Sequence, residues 1–175
     1  MSSKFAKESF TEMNELVLPN DTNTFGNLMG GRLLYWMDIC SAMAAQKHCN
    51  NVVVTVSVDN VSFQRSVKLG EVVNIKAQVT RAFNSSLEVR MEVFAQNLPK
   101  GTVYKSNEAY YTFVAIDPHN KPLPVPKLIP ESDEEVKLYN EASQRRELRL
   151  ILAGKLKPKD AISLKDMIQS FNHKS

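Results

Sequence analysis

The residue that most invites a chemical reading is Asp38. It stands inside the run Leu33-Leu34-Tyr35-Trp36-Met37-Asp38-Ile39-Cys40, where an ionised carboxylate costs free energy unless it is paired or put to use. At helical spacing Leu34, Asp38, Ser41, Ala42 and Ala45 share one side, so the carboxylate would look onto small side chains that a ligand or a second chain can approach. That side is a candidate site wall, or Asp38 is a structural carboxylate satisfied by a hydrogen-bond network or facing water at the helix edge. Just upstream, Asn27-Leu28-Met29-Gly30-Gly31 leads into the same run. A helix beginning there presents unpaired backbone N–H groups, backed by the helix dipole, that can polarise a carbonyl. Gly30 and Gly31 admit a ligand close to the backbone, and Asn27 adds an amide for substrate or water. The purely structural alternative makes Asn27 the N-cap and the glycines a tight turn.

The remaining reactive side chains offer less. His48 ends the same run, His119 lies among prolines and His173 in the C-terminal tail. None pairs at metal-ligand spacing, and neither a Ser-His-Asp nor a Cys-His triad can be assembled, so no metal site is expected. His48 near a helix C-terminus is accounted for by the dipole. Cys40 and Cys49 lack the spacing of a metal site and read as reduced structural thiols, which favours a cytoplasmic setting.

Elements that position these groups follow from pattern. The stretch Gly31 to Cys49 has good helix formers, no proline and a length beyond any strand; it predicts a helix apolar nearly all round, which something must wrap. Before it, Glu12 to Leu18 reads as a strand entering a loop at Pro19. After it, Asn51 to Phe63, Glu71 to Phe83, Ser86 to Gln96 and Thr102 to Ile116 are rich in Val, Thr, Phe and Tyr, four strand candidates. Leu87 to Val93 alternates strictly between apolar and charged residues, as a strand with one face in the core and one in water does. Asn84-Ser85 and Pro99-Lys100-Gly101 supply hairpin turns. Pro118, Pro122, Pro124, Pro126 and Pro130 make the following segment a strap across a surface. Ser132 with Glu135 is a capping box, so a helix begins near Asp133, and a further helix is expected over roughly Lys159 to Phe171.

The chain has 175 residues, 43% hydrophobic and 23% charged, with a net charge of +3. That length fits one domain with extra terminal chain. The scattered Lys and Arg residues argue against a nucleic-acid groove and suit a phosphorylated small ligand. Met1 to Phe5 carry no apolar signal core, and no run of about 18 apolar residues is present, so neither export nor membrane insertion is expected.

The segment DTNTFGNLMGGRLLYWMDICSAMAAQKHC, Asp21 to Cys49, resembles the loop and central helix of hotdog-fold acyl-CoA hydrolases, with Asn23, Gly26, Gly30-Gly31 and Asp38 in the same order. Val52 to Phe63, Arg81 to Asn97, and the FVAID segment with its proline-rich strap, Phe113 to Pro126, extend the likeness over Thr11 to Arg149. The resemblance implies an α+β hotdog fold, a long central helix wrapped by an antiparallel sheet. Residues 1–130 would form the thioesterase domain and 131–175 a C-terminal helical extension. It implies hydrolysis of fatty acyl-CoA to free acid and coenzyme A, with Asp38 activating water or attacking the thioester. Asn27 would face it across a homodimer interface, in an assembly that reaches a trimer of dimers. Gly30 and Gly31 would border the substrate, Ser57, Val58 and Asp59 the pantetheine arm, and Arg81, Ser85 and Ser86 the phosphates. No cofactor is implied, coenzyme A being part of the substrate. Two departures stand out: Met29 where relatives often have His or Phe, and Ser66 where Pro is usual. The rival readings are a hydratase or dehydratase of the same fold, for which a positioned His base is expected, and a module that binds acyl-CoA without turnover.

Overall fold

The computed structural model describes residues 2–59, 61–63 and 65–172, so His173 lies outside the described residues. They divide into two compact units, one running to Ile129 and the other starting at Pro130.

In the first unit, β1 (Lys4–Phe5) and β2 (Thr11–Leu16) precede the long helix α1 (Gly30–Cys49). Then come β3 (Val53–Asp59), β4 (Val72–Ala82), β5 (Ser86–Asn97), β6 (Thr102–Ala115) and β7 (Leu128–Ile129). A five-stranded antiparallel sheet has the order β2-β4-β5-β6-β3. The alternating strands turn Val73, Ile75, Ala77 and Val79 of β4, Leu87, Val89, Met91 and Val93 of β5, and Ala109, Tyr111 and Phe113 of β6 inward, all buried. From α1, Leu33, Trp36, Met37, Cys40, Ala44 and Ala45 are buried with them, and α1 packs along the sheet. A sheet covering the helix is what its apolar sequence requires, and the arrangement is the hotdog fold that the resemblance implies. The helix is not buried all round: Tyr35 and Met43 are exposed.

The charged face of β5 departs from the simple alternation. Glu88 is fully buried and accepts a 2.7 Å hydrogen bond from Thr80 Oγ1, while Arg90 is tied to Glu92 at 3.0 Å and Glu108 at 2.9 Å. Polar side chains on neighbouring strands satisfy one another there, which is the condition for burying them.

The strand expected over Asn51 to Phe63 ends at Asp59 and is bulged between Thr55 and Ser57. It is an outer strand of the sheet, paired among the described strands with β6 alone, and it leaves Val54, Val56 and Val58 exposed, as is Val52 just before it. The proline-rich strap holds to the sheet through Leu123 N–H to Ala115 O at 2.8 Å and to the β4–β5 turn through Val125 N–H to Asn84 O at 3.0 Å. It ends in β7, which pairs in parallel with β1. No described helix is long and apolar enough to cross a membrane.

The second unit holds α2 (Asp133–Leu152) and α3 (Ile162–Asn172). Ser132 caps α2, with the reciprocal bond from Glu135 that its capping box requires. Glu147 of α2 accepts the backbone N–H groups of Ser163 and Leu164 at 3.2 and 2.8 Å, anchoring the start of α3.

Candidate active site

The loop leading into α1 is held by its own polar side chains. Asp21, buried, accepts Leu18 N–H at 3.0 Å and pairs with Arg32 Nε at 2.9 Å. Asn23 Oδ1 accepts the N–H groups of Phe25 and Asn27 at 3.0 and 3.2 Å, and Gly26 supplies the left-handed residue, φ +72°, that the tight loop needs. Leu28 N–H bonds to Val67 O, and Leu69 N–H to Gly26 O, so the loop is stitched to the chain between β3 and β4.

Asn27 is not the N-cap. Met29 occupies that position without any side-chain capping bond, so the first N–H groups of α1 remain available to a ligand. Among the described residues nothing takes up the side-chain amide of Asn27. The two glycines differ in their surroundings. A Cβ on Gly30 would stand 3.2 Å from the Phe63 ring, whereas one on Gly31 would meet open space. A side chain at Gly30 would press on the Phe63 ring, which would have to shift slightly, and Gly31 leaves the helix start uncovered.

Two turns further on, Asp38 is half-buried on α1. Its Oδ1 accepts a 2.7 Å hydrogen bond from Thr55 Oγ1 on β3, and among the described residues its second carboxylate oxygen has no partner. Leu34 and Ala42 share its half-buried margin, while Ser41 and Ala45 turn into the core. The open strip expected from helical spacing is therefore narrower. The pKa of Tyr111 on β6 is pushed up to about 12, first by burial and then by the charge of Asp38. Thr55 went unnoticed in the sequence, although a hydroxyl inside Val53-Val54-Thr55-Val56 is the same kind of signal that Asp38 gives within α1.

The other expected contacts fall into two groups. Ser57, Val58 and Asp59 lie on β3 just past Thr55, with Ser57 Oγ donating to Asp59 Oδ1 at 2.7 Å. Across the strand pair Val58 faces the buried Tyr111 on the helix side, and Ser57 and Asp59 face the opposite side with Thr112 and Tyr110. Arg81, Ser85 and Ser86 come together at the β4–β5 hairpin, the Arg81 guanidinium lying 5.3 Å from the Phe83 ring centroid.

His48 corrects the dipole reading. It is fully buried, its Nε2 lies 2.9 Å from Pro126 O, and burial pushes its pKa below the ordinary value. A neutral imidazole donating to the strap is what this site holds, because a charged ring could not be solvated there. Cys40 and Cys49 are free and buried, the Cys40 thiol pushed up to about 11 by burial. Among the described residues no three His, Cys, Asp or Glu side chains converge as a metal site requires.

Residues 25–102 match the Thioesterase superfamily. The chain is 36% identical over 143 residues to an uncharacterized acyl-CoA thioester hydrolase of Bacillus subtilis, covering 82% of this chain and 83% of that protein. It spans about a quarter of the length of two mouse thioesterases it also matches. The crystal structure of an apo-hexameric acyl-CoA thioesterase superposes with a TM-score of 0.84 at 38% identity, covering 87% of this chain and 98% of that one. An acyl-CoA hydrolase of Staphylococcus aureus in complex with butyryl coenzyme A and coenzyme A does so with a TM-score of 0.80 at 33% identity, over 97% and 99%. The chain belongs to the Thioesterase superfamily and, within it, to the hotdog-fold acyl-CoA hydrolases. The Staphylococcus protein has also been solved with an aspartate, a threonine and an asparagine each replaced by alanine. Their intervals in that chain equal those separating Asp38 from Thr55 and from Asn23 here.

Proposed function

We propose that this protein hydrolyses acyl-CoA thioesters, with Asp38 as the catalytic carboxylate, in a site completed by a second copy of the chain. The observation that carries the reading is the Asp38 carboxylate, fixed through one oxygen by Thr55 at 2.7 Å and open at the other, at the margin of an exposed edge strand. Thr55 orients the group, and the second oxygen either takes a proton from water attacking the thioester carbonyl or attacks that carbon itself, giving a mixed anhydride that water then hydrolyses to the free acid and the regenerated carboxylate. The tetrahedral oxyanion needs N–H donors about 3 Å away, and the uncapped start of α1 is the available set. In one chain, however, eight residues separate Gly30 from Asp38, about 12 Å along a helix rising ~1.5 Å per residue. One carbonyl cannot meet both. A second copy joined at β3 satisfies the geometry, its loop bringing the donors and an asparagine amide to this chain's Asp38. It also covers the unpaired β3 edge and its exposed valines. Collapse of the intermediate expels the coenzyme A thiolate, which is protonated on release.

Two asparagines can supply the amide: Asn27, whose side chain is uncommitted, and Asn23, which matches the interval of the Staphylococcus variant. The hexameric relative supports a trimer of such dimers, and the hairpin group Arg81, Ser85 and Ser86 is assigned to the coenzyme A phosphates. The test is thiol release from acyl-CoA of varied chain length by the wild type and by Asp38→Asn, which keeps the acceptor for Thr55. Turnover should fall at least about a hundredfold, the scale of a general-base contribution. Near-normal turnover in a folded variant rules the assignment out.

A further inference from the structure

At the end of the sheet away from the β4–β5 hairpin lies a cleft of about 520 Å³, lined by Arg65, Ser66, Lys68, Glu71, Asn97, Lys100, Thr102 and Tyr104. Three cations border it against a single carboxylate. Glu71 is already committed: buried, it accepts Lys68 N–H at 2.9 Å and Tyr104 O–H at 2.7 Å. Among the described residues neither Arg65, Lys68 nor Lys100 forms a salt bridge.

Three exposed basic side chains are usually just solvated surface, so their setting decides. Arg65 lies over the Tyr104 ring at 4.8 Å, and its backbone carbonyl accepts Ser106 Oγ at 2.8 Å. Lys100 is carried on a turn whose N–H is held by Asn97 Oδ1 at 3.2 Å. Tyr104 O–H also bonds to Ser66 O at 2.9 Å. The cations therefore stand on anchored backbone around a recess that also exposes the Ser66 and Thr102 hydroxyls. The recess is open and its lining mostly polar, so an occupant would be held by charge and hydrogen bonds rather than by enclosure. An excess of positive charge with hydroxyl donors and one arginine fork is a combination suited to phosphate oxygens.

We propose that this cleft binds a phosphate-bearing small ligand, at a site separate from the β4–β5 hairpin of the same chain. The two are separated by the length of β5, twelve residues, which at ~3.4 Å per residue is beyond the reach of one diphosphate. The cleft is joined to the catalytic loop, since Lys68 bridges Asn27 and the flanking residues bond to Leu28 and Gly26. Occupancy would steady that loop. The phosphates can come from a free ligand or from coenzyme A bound across a subunit boundary, and the chemistry is the same.

Calorimetric titration of the intact protein with inorganic pyrophosphate and, separately, with coenzyme A tests the proposal, comparing wild type with Lys68→Ala/Lys100→Ala and with the charge-preserving Lys100→Arg. Pyrophosphate affinity is expected to fall at least tenfold in the double variant and to change less than threefold in Lys100→Arg. If coenzyme A affinity is unchanged the ligand is a free phosphate compound; if it falls in parallel the cleft serves the substrate's own phosphates. Either result supports a phosphate site here. Absence of pyrophosphate binding to the wild type, or equal affinity in the double variant, overturns it, and neither readout depends on turnover.

Discussion

If the site is shared, two dead proteins can make a live one. Asp38→Asn removes the carboxylate but leaves that chain's loop intact, and Asn27→Ala does the reverse. Because the helix start and Asp38 are about 12 Å apart on one axis, no rearrangement inside a chain can substitute for the partner's contribution. Refolding the two variants together in equal amounts should give dimers in the proportions of random pairing, half of them mixed. Each mixed dimer holds one site with both wild-type groups and one with neither. Activity should therefore return to about a quarter of the wild-type value, the fraction set by two-fold symmetry. The assay is thiol release at saturating acyl-CoA, with mixed dimers verified by isolation through two different affinity tags. Running the same mixture with Asn23→Ala identifies which asparagine acts, since only the functional one must be wild-type on the chain opposite Asp38. Verified mixed dimers without activity, or a fully active monomer, refute the shared site while leaving the thioesterase reading standing.

Thr55→Val removes the 2.7 Å hydrogen bond to Asp38, a bond to a charged group worth about 1.5–3 kcal/mol. We expect kcat to fall about ten- to a hundredfold with little change in KM, and unchanged kcat would show that Thr55 does not orient the carboxylate. His48 is held neutral, with its pKa lowered from 6.5 chiefly by burial. The unfolded chain therefore binds the extra proton first as pH falls. The stability His48 contributes is complete above 6.5 and is lost as pH drops through its folded value. Urea unfolding at pH 7.5 and pH 5 should show a larger acid loss for the wild type than for His48→Gln, which keeps a donor for Pro126; equal losses contradict the neutral assignment.

The order of elements was legible in the sequence because each rests on local chemistry. The apolar run of α1, the bounds of β5, the turn residues and the Ser132–Glu135 capping box fall within a residue or two of where they were expected, whereas the water-facing side expected of β5 is buried at Glu88. The oddity of Asp38 was legible for the same reason, as one charge in an apolar run. What the sequence could not display are relations between segments far apart along the chain. The Thr55 bond to Asp38 spans seventeen residues and depends on the side of β3 that Thr55 takes in its pairing with Phe113. His48 looked like a helix-end cation until the strap, 78 residues on, brought a carbonyl to it and shut out water. Arg65, Lys68 and Lys100 read as scattered charge because only the folded sheet sets a loop beside a distant hairpin turn. Local sequence determines the elements and flags a misplaced group; the tertiary structure alone decides what meets that group, because hydrogen bonding and burial act through space.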